Sequence, residues 1–396
     1  MPGDVNLNWR KALLQVTDRL DEAAITYMFI GEAALLACGA EPPSGQPLEC
    51  EFQWDQLEEA HQLFLPFGAG PVTKTETGAQ FTAIVAGSHL LFWCQWNHVV
   101  LTDPARMVQE FSGKKVFVEA PTAIIHRTKE TEPEFRLAKA FLSRLQSQNT
   151  AISLNAWNTG TYEAWVNRFG NPVQLGEAIR KQPEKRLVTV SHYLGNLTGK
   201  KVFNLMGSNA IKGVAMACLG ATVTVLDLSE ESGTYARELA EAAGVSLTYI
   251  VGDVLETEQL PSEGADRILM ERGILHYFVD LQPLMTRVAA WLADGGRFVL
   301  QDFHPISTKL IQSKGKKHLV NGNYFDPAMH PSAVATSKYT DQNETSYIYQ
   351  RRWTLAEIMT AVAQSGLRLV QLDEHPNEKR HDMGIPKLFT LVAEKS

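Results

Sequence analysis

Between residues 200 and 303 the chain alternates apolar, strand-like runs with helical segments, and this rhythm constrains the fold more than any other feature. "KKVFNLM" (200–206) reads as a buried strand, followed by the helical "AIKGVAMACLG" that stops at Gly220. "ATVTVLD" (221–227) is a second strand, after which Ser229 and the acidic pair Glu230–Glu231 open a helix that stops at Gly244. "SLTYIVGD" (246–253), "DRILMERG" (266–273) and "RFVLQDF" (297–303) are three further strands, the last preceded by the helix and glycine turn of "LQPLMTRVAAWLADGG". Strands separated by helices of this length predict an α/β, Rossmann-like, mostly parallel sheet covered on both faces. The ending differs. After a helix at 354–365, "LRLVQLDE" and "KLFTLVAE" are separated by a charged loop with no room for a crossover helix. They should pair as a C-terminal antiparallel hairpin at the edge, completing seven strands.

At 396 residues the chain exceeds the size of one hydrophobic core, so two domains are expected. A charged amphipathic helix at 133–146 gives way to the polar "SRLQSQNTAISLNAWN" (143–158), placing the expected boundary between domains 1–150 and 151–396. A net charge of −7 argues against coating nucleic acid or an anionic membrane. The basic "KGKK" (314–317) reads as a solvated loop. Four scattered cysteines, without a C-x-x-C pair, suggest reduced thiols and no metal site. "MPGDVNLNWRKALLQVTDRL" holds no apolar signal core and no run is long enough to span a bilayer, so a cytoplasmic location is expected.

In an open parallel sheet, ligands sit beyond the carboxyl ends of the strands where strand order reverses. The first strand feeds "MGSNA", where Gly207 permits close backbone approach and Ser208 and Asn209 can hydrogen-bond locally. Asp227 ends the second strand, twenty residues after Gly207, and can accept both hydroxyls of a ribose. Asp253 ends the third strand, where a carboxylate and the amides after it could read an adenine edge. A single strand-end Asp is an ordinary turn residue; three ordered strand-end positions point to a ligand.

With these residues, 155–396 resembles the class I S-adenosylmethionine-dependent methyltransferases, including the terminal hairpin that sets that fold apart from dinucleotide dehydrogenases. The resemblance implies that Gly207, Ser208 and Asn209, with Asn204, hold the methionine portion of the cofactor. It implies that Asp227 holds the ribose, with Leu228 beside it, and that Asp253 and Val254 contact the adenine. "LMERGILHYF" (269–278), with Glu271, His276 and Tyr277, matches the segment lining the methyl-transfer site, and "LADGGRFVLQDFHP" matches the glycine turn and fifth strand. Where the family carries an acidic residue and three alternating glycines, this chain has Asn204, Met206, Ser208 and Ala210. S-adenosylmethionine has no pyrophosphate that must lie against bare backbone.

A sulfonium donor is already activated, so alignment and exclusion of water carry most of the catalysis, and a base helps only a protonated acceptor. His276 and His304 each fit either a general base or a hydrogen-bonded structural histidine. Glu271 fits a base, a cofactor hydrogen-bond acceptor or a salt bridge. Trp157, Tyr162 and Trp165 in "NAWNTGTYEAWVNRFG" are expected on a helix that lids the cofactor, with core packing as the alternative. The insertion 306–352 offers Tyr324, Tyr347 and Tyr349 as substrate-shaping residues.

The N-terminal part resembles, more diffusely, the nucleotidyltransferase fold: "ITYMFIGEAALLACGA" is a strand entering a helix at Gly31, and Glu49 and Glu51 of "LECEF" stand where that fold carries metal-binding carboxylates. The later strand, "FTAIVAGSHLLFWCQW", has no acid, so a smaller α+β domain that recruits substrate or assembles a homodimer, without metal or catalysis, is expected. The resulting expectation is methyl transfer from S-adenosylmethionine to a small-molecule metabolite or natural product, with no nucleic-acid or membrane partner. A non-catalytic cofactor-binding scaffold and a methyltransferase acting on a peptide or protein are the alternatives. A nicotinamide oxidoreductase lacks its G-x-G-x-x-G spacing here.

Overall fold

The structure is a computed structural model that describes residues 2–40, 47–261, 264–314, 317–339, 346–377 and 384–396. The chain divides into two compact units, Met1–Leu145 with Phe325–Ala328, and Gln146–Tyr324 with Met329–Ser396.

The first unit holds one mixed sheet of seven strands, β1 (Tyr27–Ile30), β2 (Leu48–Phe52), β3 (Thr73–Lys74), β4 (Gly78–Val85), β5 (Ser88–Gln95), β6 (Arg106–Phe111) and β7 (Lys114–Glu119), in the order β3-β4-β5-β2-β1-β7-β6. The expected single strand "FTAIVAGSHLLFWCQW" is in fact the hairpin β4–β5, turning on Ala86 (φ 50°) and Gly87 (φ 77°). Two successive left-handed residues match the twist of a tight hairpin, so a modest Ala-Gly pair suffices to reverse the chain.

The second unit holds β8 (Lys201–Leu205), β9 (Thr222–Asp227), β10 (Thr248–Val251), β11 (Ala265–Glu271) and β12 (Leu292–Phe303). Two small hairpins follow, β13 (Ile311–Lys314) with β14 (Lys317–Val320) and β15 (Met329–Ala333) with β16 (Tyr347–Arg351), then β17 (Arg368–Pro376) and β18 (Pro386–Glu394). The main sheet runs β10-β9-β8-β11-β12-β18-β17, with β8 to β12 parallel and both pairings of β18 antiparallel. Alternate residues feed two apolar layers: Phe203, Ile268, Phe298 and Leu300 pack on one face, and Val202, Val225, Leu269 and Val299 on the other. Residues 315 and 316 of the basic run lie outside the described residues.

The helix expected at 133–146 continues to Trp157, so the polar stretch read as a linker is helical. Its inward positions Gln146, Asn149 and Ser153 are buried, which erases the apolar stripe that announces a helix from sequence. Gly160, at φ 73°, then breaks the chain before a separate helix, Thr161–Phe169.

Candidate functional site

The strand order reverses between β8 and β11, and a cavity of about 1770 Å³ opens beyond the carboxyl ends of β8 to β12. Its wall includes Asn204, Gly207, Ser208, Asn209, Asp227, Leu228, Asp253, Val254, Glu271, His276, Tyr277 and Trp157. The structure therefore brings together most of the positions expected from sequence, from strands that are far apart along the chain.

The loop after β8 adopts a backbone that glycine would find easy. Met206 (φ 51°), Ser208 (φ 49°) and Ala210 (φ 55°) are all left-handed, at the three alternating positions where glycines were absent. Gly207 between them is required for space, since a Cβ there would lie 2.7 Å from Val225 Cγ1 and 2.8 Å from Asn204 Oδ1. Three hydrogen bonds tie the loop to its neighbours: the Ser208 N–H donates to Asp227 Oδ2 at 2.8 Å, the Gly207 N–H to the Leu226 carbonyl at 3.3 Å, and the Tyr249 hydroxyl to the Ser208 carbonyl at 2.8 Å. The Ser229 N–H donates to Asp227 Oδ1 at 3.0 Å. Each oxygen of Asp227 thus keeps a lone pair for a ligand hydroxyl. Burial raises the Asp227 pKa, against the lowering effect of these amides. Asp253 Oδ1 accepts the Leu255 N–H at 2.9 Å, shaping the turn after β10.

Asn204 is buried and donates to the Leu269 carbonyl at 3.3 Å. Glu271, two residues farther along β11, is ion-paired with Lys212, which opens the helix after the loop. Lys212 has its pKa lowered, by burial first and against the attraction of Glu271. Glu271 is accordingly a paired carboxylate rather than a free base.

The loop 272–279 is fixed from several sides. Asp302, at the end of β12, accepts the N–H groups of Gly273 (2.5 Å), Leu275 (3.1 Å) and Phe303 (2.7 Å). Gln146 accepts the Val279 N–H at 2.9 Å and donates to the Tyr277 carbonyl at 3.2 Å, and the Trp353 indole donates to the Leu275 carbonyl at 2.8 Å. Held on this loop, His276 has a buried Nε2 with no partner among the described residues. Burial, with the nearby Arg352, lowers its pKa to about 4 against the pull of Asp302, so the imidazole is neutral at pH 7. Burial likewise raises the pKa of Tyr277, whose hydroxyl accepts the Trp157 indole N–H at 2.9 Å.

Other expected residues fall elsewhere. His304 is buried away from the cavity wall: its Nδ1 accepts the Ile306 N–H at 3.1 Å, and its Nε2 pairs with Glu374 at 2.6 Å. Both nitrogens are engaged, so the structural alternative describes it. Tyr162 donates to Glu238 at 2.7 Å and is absent from the wall, whereas Trp165 lines it and stacks on Trp157 with centroids 6.0 Å apart. The Tyr324 hydroxyl accepts the Leu355 N–H at 3.1 Å, at the start of the helix Leu355–Gln364, and it too is outside the wall. On β16 the pleat turns Tyr347 and Tyr349 outward and their neighbours Ile348 and Gln350 to the cavity. Sequence reasoning missed Lys212, Gln146 and Asp302; Asp302 stood two residues before the His304 that drew attention.

In the first unit, Glu51 Oε1 pairs with His98 Nδ1 at 2.6 Å, and His98 Nε2 with Asp103 at 2.8 Å. Glu119, at the end of β7, receives the Gly31 N–H at 3.0 Å and pairs with Arg127 at 2.6 Å. Among the described residues no three His, Cys, Asp or Glu side chains form a group able to hold a metal ion, and no helix is long and apolar enough to cross a membrane.

Residues 207–296 match a family model described as "Methyltransferase domain". A ubiquinone biosynthesis O-methyltransferase of Bordetella parapertussis is 26% identical over 156 residues, 39% of this chain and 63% of the relative's length. Its counterpart in Bordetella pertussis is 25% identical over 201 residues, 48% of this chain and 82% of that relative. Among solved structures, a putative S-adenosylmethionine-dependent methyltransferase from Listeria monocytogenes superposes with a TM-score of 0.44 at 17% identity, over 54% of this chain and all (100%) of its own. Magnesium protoporphyrin IX methyltransferase from Synechocystis PCC 6803, solved with bound SAH, gives 0.41 at 15% identity, over 63% of this chain and 100% of its own. The strand order with its antiparallel edge is that of the class I S-adenosylmethionine-dependent methyltransferase fold, and residues 207–296 within the second unit match the methyltransferase-domain model.

Proposed function

We propose that the chain transfers a methyl group from S-adenosylmethionine to a small-molecule acceptor in the second-unit cavity. One observation carries this reading: the loop residues Met206–Asn209, Asp227, Asp253 and the neutral His276 all line one cavity at the strand-order switch. The donor supplies an electrophilic methyl group, so the chain's own tasks are to hold, align and exclude water. The loop fits the nucleoside–amino-acid donor, because its left-handed residues and Gly207 present backbone rather than bulk. Asp227 would take the ribose hydroxyls, with Leu228 beside it, and Asp253 with Val254 the adenine. Ser208 and Asn209 would flank the amino-acid arm. Position 204 offers no carboxylate, and the Glu271–Lys212 pair supplies both charges that an ammonium and a carboxylate require. His276, unprotonated and unpartnered, would accept a hydrogen bond or the proton of an acceptor hydroxyl as the methyl bond forms. Tyr277, Trp157 and Trp165 would wall the site from water.

The preserved backbone of the loop favours a working cofactor site over a scaffold. The curated relatives' names refer to O-methylation in ubiquinone biosynthesis, which supports a small hydroxylated acceptor over a peptide or a nucleic acid. For the first unit, domain 1–150 in this reading, we infer a nucleotidyltransferase-like but non-catalytic role in substrate recruitment or homodimer formation. Glu51 is tied to His98, and β4 and β5 bring no carboxylate to the sheet centre.

Calorimetric titration with S-adenosylhomocysteine tests the site assignments. Asp227→Ala should weaken binding by about tenfold or more, the loss of a charged hydrogen-bond acceptor. His276→Ala should leave that affinity within about twofold, as expected for a group on the acceptor side. Equal effects of the two substitutions would refute the division of roles.

A further inference from the structure

The acceptor end of the cavity carries cations that, among the described residues, no carboxylate pairs with. Phe303, 39% exposed, brings Cε2 to 3.5 Å from the site a Cβ on Gly273 would take, and His276 Cε1 lies 3.4 Å from the same point. Phe303 and His276 therefore flank Gly273 from neighbouring strand ends. The Lys387 ammonium lies 5.6 Å from the Phe303 ring centroid, and the Arg352 guanidinium is close enough to His276 to act on its charge. Arg272, next to Gly273 and itself left-handed at φ 55°, makes a 3.3 Å contact with the Thr189 hydroxyl. All three cations line the cavity, and among the described residues none is paired with a carboxylate.

The carboxylates of the same wall are accounted for. Asp302 is consumed by backbone amides, Glu271 by Lys212, and Asp227 and Asp253 stand at the other end of the cavity. In a chain of net charge −7, three cations without a carboxylate partner on one stretch of cavity wall depart from the average surface. A merely solvated face would be expected to carry acids among them.

We propose that the acceptor is an anion, a small molecule whose carboxylate or phosphate is held by Arg352, Lys387 and Arg272 while its apolar body lies on Phe303. Guanidinium groups match both anions in a two-point contact, and an exposed ring beside them favours a planar body. This inference rests on the methyltransferase reading, and it adds the class of acceptor.

The test uses the full chain saturated with S-adenosylhomocysteine and titrated calorimetrically with benzoate, phenyl phosphate and neutral benzamide. At least one anion should bind about tenfold tighter than benzamide, and the preferred anion distinguishes a carboxylate from a phosphate acceptor. Arg352→Met and Lys387→Met should each reduce that preference severalfold, and the double variant should abolish it, with affinity for S-adenosylhomocysteine unchanged. The proposal is overturned if benzamide binds as well as both anions, if the double variant keeps the preference, or if none of the three binds to the saturated protein. If S-adenosylhomocysteine itself does not bind, the methyltransferase reading fails first and the acceptor class with it.

Discussion

Ser208 and Gly207 are neighbours with opposite requirements. Ser208 holds φ at 49°, where an L-residue is strained, while Gly207 has no positive φ but no room for a side chain. Ser208→Gly should therefore stabilise the protein by about 0.5–1 kcal/mol, the relief of a left-handed residue less the added freedom of the unfolded chain. Gly207→Ala should destabilise it by about 1–3 kcal/mol, because Val225 and Asn204 must move. Urea-induced unfolding of both variants checks the pair, and a loss of stability in Ser208→Gly would contradict the strain argument. His276 is the other informative residue. With its pKa lowered to about 4, it stays neutral while an unfolded histidine would gain a proton below about 6.5. Its contribution to stability is thus present above about 6.5 and lost as the pH falls towards 4. An NMR titration of the His276 ring should show a midpoint near 4; a midpoint near 6.5 would contradict its burial.

At the scale of elements, the strands were legible because both faces of the sheet are apolar and glycines or caps mark the helix ends. Ser229 does accept the Ser232 N–H, and Gly244 does end its helix at φ 69°. The helix Pro133–Trp157 is hard to read past residue 146 because its buried positions Asn149 and Ser153 are polar rather than apolar, and the β4–β5 turn was missed because Ala-Gly is a quiet signal. Of the site, strand-end residues were legible and cross-strand partners were not. Glu271 could be placed near the cavity, but only the fold shows that Lys212 neutralises it. If that pair reads the donor's amino-acid arm, Glu271→Gln should weaken S-adenosylhomocysteine by about tenfold and leave 5′-methylthioadenosine, which lacks the arm, nearly unchanged. Equal losses for both ligands would show that Glu271 acts on the fold instead.

At the scale of the whole molecule, the two units carry different chemistry and should respond differently to pH. In the first unit Glu32 is buried, and burial together with Glu134 and Glu49 pushes its carboxyl up to about 7. A raised carboxyl pKa adds stability that is complete below the unfolded value near 4.5 and is lost as the pH rises through about 7. Glu32→Gln should raise the melting temperature of the chain's first-unit transition at pH 8 and leave it nearly unchanged at pH 4. The opposite order would mean that the fold favours the ionised carboxylate and lowers its pKa instead.

The central claim is that the second unit binds the methyl donor at the strand-order switch. Isothermal titration of the full chain with S-adenosylmethionine and, separately, with S-adenosylhomocysteine tests it most directly. Saturable one-site binding of both ligands is the result expected from the loop, Asp227 and Asp253. Heats indistinguishable from dilution for both ligands would contradict it.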